Sequence, residues 1–351
     1  MSKLENMSKP LIWSTALLLA AIVAGCGGSN GTNGAAGTNG TNGTNGSNGS
    51  NGTPGTSASL SAVNLLSAST YALTSSAGVT TSGIATFGGN VAMDAPTATC
   101  TATPAVASGV PNTDTCGLST GVDVTYAAFS TTTSLSITGT TIRYNPGTTP
   151  NSSGFNATVR AVKNDVNTAW LDAFNRGGGR LLPGPGALDG LTLPPGVYTS
   201  ASTMTLGNGA TLTLDAGAGN ANAATAVWIF QVGSDMTITG STSSCSPACQ
   251  PTQVVLKNGA LAKNVFWQVG TPGTGAANGA VSFPAATGAA GNNTIFAGTI
   301  LAGSSVTFAG GTAVTGRILA GANLLGTPNT QTGGAVTTTT GSTGPVTVTL
   351  P

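Results

Sequence analysis

Residues 298–303, Gly-Thr-Ile-Leu-Ala-Gly, return as residues 316–321, Gly-Arg-Ile-Leu-Ala-Gly, a near copy displaced by 18 residues. That offset is short for a helical repeat unit. It suits one coil of a three-sided β-solenoid, in which three strands of about six residues close a turn and stack on the next. Ile300, Ala302, Ile318 and Ala320 are then expected to point inward in stacked rows. Gly303, Gly310, Gly311 and Gly321 are expected at corners, where a positive φ is comfortable only for Gly.

Composition points the same way. Charged residues make up 5% of the 351 and aromatics 5%, whereas Gly alone counts 53. Two packed layers need many large apolar side chains, but a narrow solenoid interior is filled by Val, Ile, Leu and Ala. The chain is read as one elongated, mainly β domain. It contains no His, and no Glu follows Glu5, so the commonest general base and metal ligand is missing. Neither a metal nor a cofactor is expected.

Residues 1–26 read as a bacterial export signal. Lys3 and Lys9 precede the apolar run Leu11–Val23, and Val23-Ala24-Gly25-Cys26 resembles the lipobox at which a lipoprotein is cleaved and its Cys acylated. The start is Met1 or Met7, and an ordinary cleaved signal with a stray Cys is the plainer alternative. With the leader gone, eight acids face eight bases. A neutral chain has no electrostatic reason to bind nucleic acid or an acidic membrane, so membrane attachment is expected through the lipid alone. Gly27 after the Cys favours outer-membrane or surface display.

Residues 27–58 form a Gly-Thr-Asn run without a large apolar side chain, expected to act as a flexible linker. The domain is placed at residues 59–351. Its residues 60–95 read as short strands, and residues 96–150, rich in Thr, Ser and Pro, as an irregular capping region. In an exported chain Cys100 should pair with Cys116 and Cys245 with Cys249, leaving Cys26 for the lipid. Zinc at the CxxxC is the competing reading.

Residues 156–176 give one convincing helix. Val159, Val162, Val166, Ala169, Trp170, Ala173 and Phe174 form a single apolar stripe, Asp172 and Arg176 pair across one turn, and Gly177–Gly179 ends it. The stripe is expected to lie along the solenoid axis. From Leu181 onward strand patterns are dense, and Trp228, Phe230 and Trp267 are read as core.

Seven stretches in register resemble the bacterial, fungal and algal ice-binding proteins with the DUF3494 domain. They are GLTLPPGVY (Gly190–Tyr198), LTLD (Leu212–Asp215), AVWIFQVG (Ala226–Gly233), VLKNGA (Val255–Ala260), NVFWQVG (Asn264–Gly270), FAGTILA (Phe296–Ala302) and VTGRILA (Val314–Ala320). The resemblance covers about residues 60–350. It implies an irregular right-handed β-solenoid with a flanking helix, in which the first strands and the C-terminal coils share one stack. It also implies binding to ice through a flat face, without chemistry and as a monomer.

On such a face side chains two apart along a strand lie about 6.6 Å apart and neighbouring coils about 4.8 Å, a grid close to spacings in ice. Thr suits it, because its methyl and hydroxyl order water and its χ1 is nearly fixed. Thr312-Ala313-Val314-Thr315 is similar to the Thr-Ala/Gly-X-Thr/Asn pattern of some family faces. Thr307, Thr237, Thr239, Thr211, Thr213, Thr203 and Thr205 are the other candidates, although Thr is also an ordinary outward strand residue. One rival is a surface adhesin that uses the same face for a polysaccharide or a partner cell. A polysaccharide-cleaving enzyme would have to recruit Asp189, Asp215, Asp235, Arg180 and Arg317, which sit singly near turns.

Overall fold

The computed structural model describes residues 60–93 (77 and 83 excepted), 118–120, 134–143, 152–182, 184, 186–240, 250–272, 279–284, 294–322, 335–339 and 344–351. The signal with Cys26, the linker, and Cys100, Cys116, Cys245 and Cys249 lie outside them.

The 18-residue repeat is one turn of the stack. Strands β18 (Thr294–Ala302) and β20 (Thr312–Ala320) pair in parallel, residue for residue, from Thr294↔Thr312 to Ala302↔Ala320. Each of these long strands bends at its middle glycine and so serves two faces. Every other coil spends separate short strands on the same three faces, all parallel.

Face A consists of β8 (Arg180–Leu181), β10 (Gly196–Ser200), β13 (Trp228–Val232), β16 (Val265–Val269), the second halves of β18 and β20, β1 (Tyr71–Ser75), β4 (Asn90–Met93) and β7 (Thr141–Arg143). Face B stacks β11 (Met204–Leu206), β14 (Met236–Ile238), β17 (Val281–Phe283), β19 (Val306–Ala309), β21 (Ala335–Thr339), β2 (Gly78–Ser82) and β5 (Leu118–Thr120). Face C stacks β9 (Thr192–Leu193), β12 (Thr211–Asp215), β15 (Gln253–Lys257), the first halves of β18 and β20, β22 (Val346–Thr349), β3 (Ile84–Gly88) and β6 (Ser134–Ile137).

The chain therefore enters the stack in its middle. β1 lies between β20 and β4, so the first coil rests on the last. Within residues 96–150, expected to form an irregular capping region, the described residues include β5, β6 and β7, which add a further coil to the stack. Short Thr- and Ser-rich strands look like loop when their apolar partners come from other coils.

Two apolar clusters hold the molecule together. Inside the prism Ile300, Ala302, Ile318 and Ala320 are buried, as expected. The interior is not wholly aliphatic, however. A ladder of rings runs Tyr198–Phe230–Trp267–Phe296–Phe283–Phe308, with centroids 3.9 to 5.5 Å apart. The indole N–H of Trp267 donates to the Ala297 carbonyl and that of Trp228 to Leu193, so both rings are buried without an orphaned donor. Gly310, Gly311 and Gly321 have φ of 75°, 57° and 81°, whereas Gly303, also expected there, is not in the left-handed region.

The second cluster lies under α1 (Ser152–Phe174). Val159, Val162, Val166, Ala169, Trp170 and Ala173 bury the predicted stripe against Val197, Ile229, Phe266, Leu301 and Leu319 of successive coils. At 1.5 Å per residue, 23 residues give a helix of about 34 Å, long enough to span about seven coils. Its last carbonyls, which no helical N–H can reach, are met from the sheet. Gln231 Nε2 lies 2.8 to 2.9 Å from the carbonyl oxygens of Ala173, Phe174 and Arg176 and shares its two N–H donors among them. Gln231→Ala removes this donor, leaving the Ala173 carbonyl only the longer bond from the Arg176 N–H, and a urea midpoint lowered by the equivalent of about 1–3 kcal/mol is expected.

Candidate functional site

Alternation along a strand sends every second side chain out of the prism, so each face can be read as parallel ranks. On face B the outward residue of each coil from β11 to β21 bears a hydroxyl. The register runs Thr205↔Thr237↔Ser282↔Thr307↔Thr337 and continues at Thr80 and Ser119. Thr205 and Thr307 are exposed, and Thr237, Ser282 and Thr337 are half-buried by their neighbours in the rank. Seven positions, six steps of a parallel ladder, make a row about 29 Å long, straight because the register never slips.

The residues flanking this row explain its regularity. Met204 and Leu206, Met236 and Ile238, Val281 and Phe283, and Val306 and Phe308 all point inward and are at most 1% exposed. Each of these four strands is thus an apolar–hydroxyl–apolar triplet pinned at both ends. A β-branched Thr between two buried anchors has little freedom left, which pre-sets the spacing of the hydroxyls.

Face C is different in kind. Its corresponding rank reads Thr211, Gln253, Ile295, Ala313, Thr347 and Thr86. The adjoining one carries Thr213 beside Val255, and the rank beyond it ends on the pair Asp215 and Lys257. Gln253 Nε2 donates to the Thr211 hydroxyl at 3.2 Å, occupying it. Asn258 Nδ2 at 2.6 Å, the Gly217 N–H at 2.8 Å and nearby Lys257 hold the Asp215 carboxyl below its usual range. Ile295 and Ile84 protrude, 44% and 53% exposed. Charge, amide and bulk interrupt this surface, and α1 covers face A.

The sequence candidates therefore separate. Thr205, Thr237 and Thr307 stand in the face B row, with Thr203 just before β11 and Thr239 just after β14 at its margin. Thr211, Thr213 and Thr315 stand on face C. Thr312, half of the sharpest sequence motif, is corrected. It is 1% exposed, and its hydroxyl donates to the Gly310 carbonyl at 3.2 Å, so it caps a corner and meets no solvent. Thr312 and Thr315 are three apart in one strand, and a strand cannot present both on one side.

Ser282, Thr337, Thr80 and Ser119 were missed by sequence reading. For Ser282 the signal was available, because Val281-Ser282-Phe283 copies the triplet of Val306-Thr307-Phe308, whereas Val336-Thr337-Thr338 has Thr at its third position.

The acids and bases that a hydrolase would need do other work. Asp189 accepts from the Gly207 N–H at 2.6 Å, and Asp235 from Gly279 and Ala280 at 2.9 and 2.8 Å, each closing a corner. Arg180 lies over the Tyr198 ring and Arg317 donates to the Ser69 carbonyl. Among the described residues no three His, Cys, Asp or Glu come together.

Residues 73–329 match the family described as Ice-binding-like, more than half of the chain. The chain belongs to the Ice-binding-like family. Its curated relatives include the ice-binding protein of Flavobacterium frigoris (strain PS1), 28% identical over 153 residues that cover 42% of this chain and 44% of the relative. Ice-binding protein 1 of Shewanella frigidimarina (strain NCIMB 400) is 37% identical over 136 residues, 39% of this chain and 12% of the relative. The matched stretch thus spans less than half the length of either relative. The Ice-binding-like fold is shared with a crystal structure of an ice binding protein from an Antarctic biological consortium, at TM-score 0.52 and 24% identity over 83% of this chain and 92% of that one. An ice-binding protein from an Arctic yeast superposes at 0.51, with 22% identity over 82% and 94%.

Proposed function

We propose that this protein binds ice through face B, with Thr205, Thr237, Ser282, Thr307 and Thr337 as the row that orders the first water layer. The observation that carries this is the unbroken hydroxyl register. It supplies anchors at a fixed repeat, with methyl groups between them and no charge in the row. A charged group would hold water radially around itself, against the order of a crystal. The work is adsorption and no bond is made or broken.

The test is thermal hysteresis and ice recrystallisation on purified residues 58–351, with growth arrested along the planes that the row fits. Because no titratable side chain stands in the row and the chain has no His, activity should stay level between about pH 5 and 8. A step in that interval would mean that a charged group takes part in binding.

We further propose that the domain acts outside the cell as a monomer with ice as its partner, anchored through a lipid on Cys26, a reading supported by the lipobox-like Val23-Ala24-Gly25-Cys26. In cells given an alkyne fatty acid, Cys26→Ser should lose the label and appear in the soluble fraction. Label persisting on the variant would remove the anchor.

A further inference from the structure

The chain reaches face A through a strap, residues 60–70, that crosses beside α1 before turning into β1. Leu60 lies in a cleft with Arg180, Pro195, Val197 and Val227, at the end of the stack marked by β8 and β10. Tyr71 begins a strand in its middle. Any pull exerted on the domain through the preceding residues arrives at Leu60 and must pass along the strap.

What lies beyond the strap is a strand, β1, that is only briefly paired with its neighbour β20. β1 and β20 meet in register over two pairs, Leu73↔Ile318 and Thr74↔Leu319, where β18 and β20 share nine. On its other edge β1 pairs with β4 through an irregularity between Tyr71 and Leu73. This seam joins coils some 245 residues apart in the chain, Leu73 to Ile318, and its opening would leave them held only by β2–β21 and β3–β22.

The strap is held out of proportion to its length. Arg176 Nη1 donates to the Ser61 carbonyl at 3.1 Å and its hydroxyl at 2.9 Å, while Arg176 is itself gripped by Asp172 in a two-pronged pair. Asp165 accepts from the Ser67 N–H at 3.0 Å and from the Ser67 hydroxyl. Arg317, from within β20, donates to the Ser69 carbonyl at 2.9 Å. Leu66 between these grips has φ of 48°, a left-handed conformation that a branched residue keeps only when its surroundings enforce it. Val63, Leu65 and Ala68 are buried beneath.

The geometry points to a mechanical clasp in which Arg176, Asp165 and Arg317 pass a pull on the N-terminal segment into α1 and β20 and keep it off the β1–β20 seam. The grips are charge-assisted, spaced along the strap and made to three separate places, so a pull along it loads them together. Their apolar underlay alone would peel one residue at a time. The inference rests on the reading of the domain as displayed on a linker, which gives the clasp its task; the grips themselves do not involve face B.

The experiment is single-molecule force spectroscopy on the mature chain, with one handle at the N-terminus and one clicked to a non-natural residue replacing exposed Lys257. Release of the strap should appear as a first step of about 40 Å, eleven residues at about 3.6 Å each, separate from later unfolding. In Arg176→Gln with Asp165→Asn that step should fall to less than half the wild-type force, with later steps and thermal hysteresis unchanged. An unchanged first force, or strap and β1 leaving in a single step in the wild type, overturns the clasp. Should the double variant fail to fold, Ser67→Ala removes the hydroxyl bond alone and must lower the first force by a smaller amount. Wild type without hysteresis would sink the ice reading while leaving the force result intact.

Discussion

Thr307→Tyr should reduce thermal hysteresis to near the buffer baseline, with a melting temperature within about 2 °C of wild type. Thr307 is exposed at the centre of the face B row, between Ser282 and Thr337. A phenol there stands clear of the plane and lifts the flanking hydroxyls away from the ice. Losing three to five anchored contacts at about 1 kcal/mol each removes about 3–5 kcal/mol, a factor of 100 or more in residence. Folding is untouched because Val306 and Phe308, which anchor the strand, remain. Thr315→Tyr on face C is the matched control and should leave hysteresis near wild type. The opposite result, loss at Thr315 and none at Thr307, would transfer the site to face C.

How far this was legible in the sequence differs between fold and face. The solenoid could be read because a near-identical hexapeptide recurs after 18 residues, and its copies pair in the structure without a slip. The helix could be read because Val159 to Ala173 keep one period over four turns, and the fold buries that stripe. The working row was half legible. Thr205, Thr237 and Thr307 each sit between two apolar residues, but they are 32 and 70 residues apart, in coils of unequal length, so no fixed period links them. Only pairing tells that Ser282 stands between Thr237 and Thr307. The Thr312-Ala313-Val314-Thr315 motif misled for the converse reason, since a pattern of letters carries no parity. Thr312 falls on the inward phase of β20 beside a corner, and its hydroxyl turns to the backbone. The strap was invisible because its grips join Ser61 to Arg176 and Ser69 to Arg317, contacts that no local pattern encodes.

Gly316→Ala should abolish folding of the domain, seen as loss of soluble protein and of any cooperative melt. Gly316 and Gly298 stack at the corner where β20 and β18 turn from face C to face A. A Cβ on Gly316 would lie 1.8 Å from the Gly298 carbonyl oxygen and 2.5 Å from its carbon, both backbone atoms. Gly298 has little room to give way toward the next coil, since even a Cβ placed on it would lie 2.6 Å from Trp267 Nε1 and 2.9 Å from Val265. Relief would require parting two coils, whose pairing includes buried Ile300, Leu301, Ile318 and Leu319. The cost exceeds about 5 kcal/mol, comparable with the whole stability of a typical domain. Gly177→Ala, with nothing within 4 Å of the added carbon, should change stability by less than about 0.5 kcal/mol. If Gly316→Ala melts like wild type, the coils do not stack at this corner as described. The phase of every strand in the C-terminal half would then be open to a shift of one residue, which would turn Thr307 inward and take the hydroxyl row with it.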